Sequence, residues 1–312
     1  MNLFEIKNIQ PMLIAEQKEP FNSKEYIFEL KFDGIRCIAY LDKEYVDLRN
    51  KRNMKLGTIF PELKELHNQV NNKCILDGEL IVTVNGKPNF HEVQRRSILK
   101  NKFKIKLISE KLPATFVAYD ILYLGNKKIT DYPLMERKKA LEETIVENDR
   151  IAVSMYIDER GIDLYNIVVE QELEGVVAKH KNSKYYFDKR SKDWIKIKHL
   201  YDDDFVVCGY AFKNRDGMNT LFLGKYNEGR LIYKGNVSLG VNGSNFKKII
   251  KHEKLDSPPF SHSIESKDKI YWIKPDLVIT ISYMHKTSSG ALRQPVLKCL
   301  RTDKKPFDCI ED

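Results

Sequence analysis

Glu29-Leu30-Lys31-Phe32-Asp33-Gly34-Ile35-Arg36 interrupts an apolar, β-favouring run that begins near Tyr26 and resumes through Cys37, Ile38, Ala39 and Tyr40. Such a run with Asp-Gly inside it predicts two short strands joined by a turn at Asp33-Gly34. Strand residues alternate faces, so Glu29, Lys31 and Asp33 are expected on one side, Leu30 and Phe32 on the other. One lysine then stands between two acids. That arrangement serves either as a surface salt bridge or as an amine that attacks phosphorus, and the tetrapeptide alone leaves both readings open. A lysine nucleophile needs surroundings that disfavour its charged form, because an ammonium has no lone pair to attack with.

Outward from this stretch, other short runs carry compatible chemistry. Cys74–Val84 reads as a strand in which Asp77 and Glu79, two apart, share a face. Two adjacent carboxylates repel unless a cation or hydroxyl donor sits between them. Thr115–Leu124 is a strongly apolar strand, and an aromatic such as Tyr119 in it would ordinarily be core. Leu173-Glu174-Gly175 leads into a further strand ending near Lys179, with Glu174 readable as a turn residue. In Trp194-Ile195-Lys196-Ile197-Lys198 both lysines face one way and both isoleucines the core. In isolation this is equally an amphipathic surface strand; on the wall of a pocket, two cations would suit a phosphate and disfavour a charged Lys31.

Taken in order, Lys31-x-Asp33-Gly34-x-Arg36, Asp77-Gly78-Glu79, Phe116 to Asp120, Glu174 to Lys179, Trp194 to Lys198 and Arg301-Thr302-Asp303-Lys304 resemble the motif series of the ATP-dependent DNA ligases. These belong to the covalent nucleotidyltransferases, with RNA ligases and mRNA capping enzymes. Each motif alone is weak; six in family order are specific. The resemblance is to minimal two-domain bacterial and phage enzymes and to ligase domains of bacterial end-joining proteins.

The resemblance implies an α+β fold: an adenylation (nucleotidyltransferase) domain with antiparallel sheets over residues 1–200, then an OB-fold β-barrel over 201–312. It implies ATP and Mg²⁺ (or Mn²⁺) as cofactors. Lys31 is the expected nucleophile, aided by Lys196 and Lys198. Glu29 is expected to read the adenine amino group, Arg36 the ribose or terminal phosphate, Glu79 the ribose or a metal, and Tyr119 to stack on the base. Lys179 joins them in the nucleotide pocket. Glu174 is expected to hold the divalent ion, with Glu79 in support. The barrel is expected to close over the site so that Arg301, Asp303 and Lys304 orient the leaving pyrophosphate, and to swing away about a hinge near Lys198–Asp204.

For nucleic acid, the family places a Ser-Arg pair ahead of Phe-Pro-Glu-Leu. Counting back from Phe60-Pro61-Glu62-Leu63 reaches Asn50-Lys51, which keeps a cation and loses the guanidinium fork. Lys51 is therefore the candidate contact to the nick phosphate, with Arg49 and Arg52 as rivals. Phe90 to Arg96 resembles the family's short helix facing the DNA backbone, through Arg95 and Arg96. An exposed basic helix end is the plainer alternative.

Composition sets the outer bounds. At 312 residues and 36.6 kDa, two domains are expected. The apolar runs are far short of a membrane span. Met1-Asn2-Leu3-Phe4-Glu5 lacks the basic start and apolar core of a secretory signal, so a cytoplasmic setting is expected. The two dozen residues before the lysine stretch contain Pro11 and Pro20 and leave no expected room for the helical DNA-binding domain of larger ligases. Five cysteines without a C-x-x-C pair are expected to be reduced thiols. A net charge of +9 suits a polyanion, or merely keeps the protein soluble. Residues 201–312 carry 18 basic against 14 acidic side chains, so neither half is a basic tail.

Pro133 to Glu147 reads as a solvated helix, Phe60 to about Val70 as a short amphipathic helix, and Asp202-Asp203-Asp204 as a linker. Beyond it, glycines from Gly217 to Gly243 punctuate short strands, a helix is expected near Asn245–Lys254, and strands near Tyr271–Ile273 and Leu277–Tyr283. The expected function is ATP-dependent sealing of nicks bearing 3′-hydroxyl and 5′-phosphate, through lysyl-AMP on Lys31 and a DNA-adenylate. The expected partner is nicked double-stranded DNA, with no membrane, the chain acting as a monomer or with an end-bridging protein. An RNA ligase or capping-type nucleotidyltransferase, and a non-catalytic OB-fold binding module, remain the alternatives at this point.

Overall fold

The computed structural model describes residues 3–212, 219–241, 243–261, 264–266, 268–287 and 290–311. The turn expected at Gly217 lies outside them. The chain forms two compact units, Met1–His199 and Leu200–Asp312.

In the first unit, alternation of apolar residues builds two sheets that share a core. One sheet has five strands in the order Leu13–Gln17, Arg190–Lys198, Gly175–His180, Tyr26–Leu30 and Tyr156–Asp158. The other is built on Tyr45–Asn50, Ile35–Asp42, Cys74–Val84 and Ala114–Leu124, in that order. Most pairings are antiparallel; Leu13–Gln17 runs parallel to Arg190–Lys198. Ile38, Tyr40, Ile75 and Leu122 of the second sheet pack with Ile27 and Trp194 of the first. Their neighbours Cys37, Ala39, Leu41 and Leu76 point the other way, into a cluster with Phe60, Leu63 and Val93. Phe28 faces outward beneath the helix Gly161–Glu170, packing on Leu164 and Val168. This is the period of two expected of strands covered on both faces.

Two sequence expectations for this unit change. Phe60 to Val70 forms two 3₁₀ turns, Pro61–Leu63 and Leu66–Gln69, instead of one helix. The helix Leu134–Thr144 is not merely solvated: Leu134, Arg137, Lys138 and Leu141 form a buried stripe. Arg137 makes a two-pronged contact with Asp120, Nε to Oδ1 at 2.8 Å and Nη2 to Oδ2 at 2.9 Å, and donates to the Ser183 carbonyl at 2.8 Å. Both side chains are fully buried. Arg137→Ala leaves Asp120 charged in the core and is expected to destabilise this unit by about 3–5 kcal/mol in chemical denaturation.

The second unit is a curled sheet, ordered Arg230–Val237, Asn219–Asn227, Tyr201–Phe212, Ile270–Tyr283 and Lys254–Leu255, with Val296–Arg301 also paired to Ile270–Tyr283. Phe205, Val207, Leu221, Leu223, Ile279 and Ile281 fill its interior beside Phe246 and Ile249 of the short helix Ser244–Ile249. It is an OB-fold barrel. Positive φ at both Glu228 and Gly229 gives the tight hairpin turn whose twist matches the flanking strands. The strands expected near Tyr271 and Leu277 are one long strand. Asp202–Asp204 is not a linker but the start of strand Tyr201–Phe212, paired with Thr280–Ser282. Cations and hydroxyls from distant positions make an acid run tenable there: Ser282 and Lys298 on Asp202, Lys225 on Asp203, Thr280, Arg301 and Lys304 on Asp204. All five cysteines are free thiols.

Candidate active site

The turn between Tyr26–Leu30 and Ile35–Asp42 carries Lys31 out of the strand proper. Its backbone N–H donates to the Gly175 carbonyl at 2.9 Å. A Cβ on Gly34 would lie 2.2 Å from the Leu80 carbonyl oxygen and 2.9 Å from Glu79 Cγ. Glycine thus lets the turn press against Cys74–Val84, bringing Lys31 near Glu79. Gly175 has φ of +154° and a Cβ there would lie 2.3 Å from the Ile197 carbonyl oxygen, so it draws Glu174 close to the Arg190–Lys198 strand.

Lys31 Nζ is 2.7 Å from Glu174 Oε1. Beside it is a cavity of about 170 Å³ lined by Glu29, Lys31, Arg36, Glu79, Tyr119, Lys179 and Trp194, among others. Residues far apart in sequence thus converge, since facing sheets supply opposite walls. Lys179 Nζ lies 4.6 Å from the Tyr119 ring centre and 4.2 Å from that of Trp194. Arg36 holds Asp77 through Nε (3.1 Å) and Nη2 (2.7 Å) and donates from Nη1 to the Met12 carbonyl at 2.6 Å. Tyr185 also donates to Asp77, at 2.6 Å. Asp77, expected on a strand face with Glu79 and in need of a cation or hydroxyl donor, has both and is the buried anchor of Arg36.

Glu29, the expected reader of the adenine amino group, lines the cavity. Its carboxylate is buried between Lys138 Nζ (2.8 Å), Lys179 Nζ (2.9 Å) and the Ser154 hydroxyl (2.8 Å). Burial opposes its ionisation, but the two ammoniums prevail and hold its pKa below the usual value. Burial pulls Lys179 down to about 8 against the charge of Glu29.

Glu79 behaves oppositely. Burial drives its carboxyl up to about 8; Lys31 and Arg36 oppose this, while Glu174 and Asp77 add to it. A group raised from about 4.5 to about 8 keeps its proton in the fold after the unfolded chain has lost it. Its stabilising contribution is full below the unfolded value and is lost as pH rises through the folded one. In metal-free buffer, the stability of the wild type relative to Glu79→Gln should fall between pH 5 and 8.5. Denaturation curves check this, and a flat difference would show that Glu79 is already ionised.

Among the described residues no cluster of three or more His, Cys, Asp or Glu could hold a metal. Glu174 is near enough to Glu79 to raise its pKa, and two carboxylates beside phosphate oxygens are a donor set that could hold Mg²⁺ or Mn²⁺. Lys196 Nζ pairs with Glu16 at 2.8 Å. Glu16 was missed from sequence: burial opposes its charge, but Lys196, Lys198 and Lys31 keep its pKa low, placing a carboxylate among the three lysines. Burial lowers the Lys198 pKa, assisted by Lys196 and Lys31.

A groove of about 690 Å³ shares Ile14, Arg36 and Glu79 with the cavity and continues past Lys196, Arg190, Lys51 and Arg52. Lys51 and Arg52 are exposed in the turn after Tyr45–Asn50. Arg49 is not available in the same way: its guanidinium is spent on Asp47, the Lys7 carbonyl and Asn53. Arg95 is exposed and paired with Glu92 at 2.5 Å. Arg96 corrects the sequence expectation. It is fully buried, 2.7 Å from Glu62 and from the Leu112 carbonyl, over the Phe60 ring. It follows Val93 by three on the inward face of its helix and has no surface to offer DNA.

Within the barrel, Arg301 binds Asp303 (2.6 Å) and Asp204 (3.2 Å), and Lys304 pairs with Asp204. Arg301 holds the Asp303 carboxyl down to about 2. Asp204, Arg301 and Lys304 edge a cavity of about 410 Å³.

A two-sheet domain with a lysine-carboxylate pair beside its cavity, followed by an OB-fold barrel, has the architecture of a covalent nucleotidyltransferase. Residues 11–198 match the model of the ATP-dependent DNA ligase domain, and residues 214–304 that of the ATP-dependent DNA ligase C-terminal region. The chain belongs to the ATP-dependent DNA ligase family. It is 28% identical over 294 residues to the SPbeta prophage-derived DNA ligase-like protein LigB of Bacillus subtilis (strain 168), covering 94% of this chain and 99% of that one. It is 27% identical over 99% of its length to the multifunctional non-homologous end joining protein LigD of Mycobacterium bovis (strain ATCC BAA-935 / AF2122/97), but spans only 41% of that protein. A solved structure of mycobacterial DNA ligase D complexed with ATP and MES superposes with a TM-score of 0.57 at 26% identity, covering 98% of this chain and 99% of that one. This chain is thus an ATP-using DNA ligase with DNA as substrate. No helix among the described residues is long and apolar enough to cross a membrane.

Proposed function

We propose that Lys31 is the nucleophile that takes AMP from ATP and passes it to the 5′-phosphate of a nick in double-stranded DNA. The observation that carries this is the position of Lys31 Nζ, 2.7 Å from Glu174 at the wall of the cavity holding Glu29, Tyr119 and Lys179. Lys31 must shed a proton before attack, and Glu174 is a carboxylate in hydrogen-bond reach. The Nζ–P bond then forms as the bond between the α-phosphorus and its bridging oxygen breaks, and pyrophosphate leaves. Lys196 and Lys198 stabilise the charge on the α-phosphate, while Arg301, Asp303 and Lys304 are assigned to the leaving pyrophosphate. Glu79 and Glu174 would hold Mg²⁺ or Mn²⁺, which when bound neutralises phosphate charge. Next, the nick 5′-phosphate oxygen attacks the lysyl-AMP phosphorus and the N–P bond breaks. Finally the 3′-hydroxyl attacks the activated 5′-phosphorus and AMP departs.

In this reading Lys51, Arg52 and Arg95 contact the DNA backbone. The chain acts as a monomer in the cytoplasm, with an end-bridging protein supplying breaks whose ends it cannot hold itself. The test is sealing of a labelled nicked duplex with ATP, at several salt concentrations. Lys51→Glu together with Arg52→Glu should weaken nick binding and flatten its salt dependence by about two units of log–log slope, with enzyme adenylation intact. Unchanged slopes would remove these residues from the interface.

A further inference from the structure

The helix Leu134–Thr144 sends one cation towards the nucleotide cavity without lining it. Lys138 enters because it lies one turn after Leu134 on the inward stripe, and its side chain is about 1% exposed. Its Nζ reaches Glu29 Oε1 at 2.8 Å, the Ser154 carbonyl at 3.1 Å and the Tyr119 carbonyl at 3.4 Å. The two carbonyls accept hydrogen bonds from the ammonium and the carboxylate pairs with its charge. Lys138 is thus fixed in place, with its charge against Glu29.

The consequence lies in what remains to meet a base. An ionised carboxylate accepts about four hydrogen bonds. Glu29 takes two on Oε2, from Lys179 and the Ser154 hydroxyl, while Oε1 has the Lys138 ammonium beside it as an ion pair and no hydrogen bond. Lys179 donates to Glu29 at 2.9 Å and to the Tyr119 carbonyl at 3.4 Å, leaving one N–H. Glu29 and Lys179 both line the cavity, which therefore offers one strong acceptor beside one donor. The Watson–Crick edge of adenine carries the complement: the exocyclic N6–H donates and ring N1 accepts. Guanine and hypoxanthine reverse both, with O6 facing the carboxylate and N1–H facing the ammonium.

We infer that Lys138, with Ser154, is the positioning residue that sets purine selectivity, by holding Glu29 so that Lys179 is not drawn across both carboxylate oxygens. Lys138 neutralises Oε1 by charge, and Lys179, bonded to Oε2, has one N–H left for the base. Without Lys138, Lys179 becomes the only cation on a buried carboxylate and turns its remaining donor inward. This inference rests on the reading of Glu29 as the adenine-reading group.

The experiment measures single-turnover enzyme adenylation with ATP, ITP and GTP for the wild type, Lys138→Met, Lys138→Arg and Ser154→Ala. The wild type should prefer ATP to ITP by about tenfold or more. Lys138→Met should raise the ATP concentration giving half-maximal rate by about tenfold, leave the saturated rate within a few-fold, and shrink the ATP-to-ITP ratio. Lys138→Arg should restore part of that ratio. Ser154→Ala, which removes one hydrogen bond and no charge, should narrow it less and keeps the test open if Lys138→Met does not fold. A wild type that fails to distinguish ATP from ITP would overturn the reading of Glu29 itself. A selective wild type with Lys138→Met slowed equally on all three nucleotides would leave Glu29 in place and overturn the role given to Lys138.

Discussion

Lys31→Ala is expected to lose ATP-driven sealing of a nicked duplex by about 10⁴-fold or more, since no other group replaces a nucleophile that forms a covalent intermediate. The loss should be selective. Lys31 contributes no fold-defining contact beyond its ion pair with Glu174 and a backbone hydrogen bond that alanine keeps, so nick binding and thermal stability should stay near wild type. A nick that already carries AMP on its 5′-phosphate bypasses the first two transfers, and the variant should still seal it without ATP. Failure on the pre-adenylated nick would mean that Lys31 serves the last step as well. Unimpaired ATP-driven sealing would remove it as the nucleophile.

Glu174→Gln is expected to have the next largest effect. The amide keeps the size of the carboxylate but loses the charge that pairs Lys31 at 2.7 Å and that pushes Glu79 towards its neutral form. A neutral ligand also binds a hard divalent ion less well. Enzyme adenylation should slow by about 10²-fold or more, and the Mg²⁺ concentration for half-maximal rate should rise. Titration of the single-turnover rate with Mg²⁺ separates the two effects. A rate that returns to wild type at high Mg²⁺ assigns Glu174 to metal binding alone. A rate that stays low at every concentration assigns it also to handling the Lys31 proton.

The parts of this architecture readable from sequence are those set by local pattern. The two strands around Asp33-Gly34, the shared face of Asp77 and Glu79 and the alternation of Trp194–Lys198 all follow from a period of two and from turn chemistry. What was not readable is which charged residues find a partner far along the chain. Arg96 looks like the exposed basic end of a helix until Glu62, brought under it by the 3₁₀ turn Pro61–Leu63, buries it. Lys138 sits in a run of Glu, Lys and Arg that matches a solvated helix, and Glu29 on another strand, with the Ser154 and Tyr119 carbonyls, accounts for its place inside. The run Asp202–Asp204 reads as a break because three like charges in a row suit solvent. Lys298, Lys225, Arg301 and Lys304 make it a strand. Family order identified the chemistry. The cations supporting it from behind, and Glu16 among the lysines, were beyond a reading of motifs.

The measurement that bears most directly on the central assignment is the intact mass of the protein after incubation with ATP and Mg²⁺, followed by peptide mapping. The account predicts an added mass of a single AMP, located on Lys31 and discharged when nicked DNA is supplied. An AMP found on any other residue, or a wild-type protein of unchanged mass that nonetheless seals nicks with ATP, would contradict it.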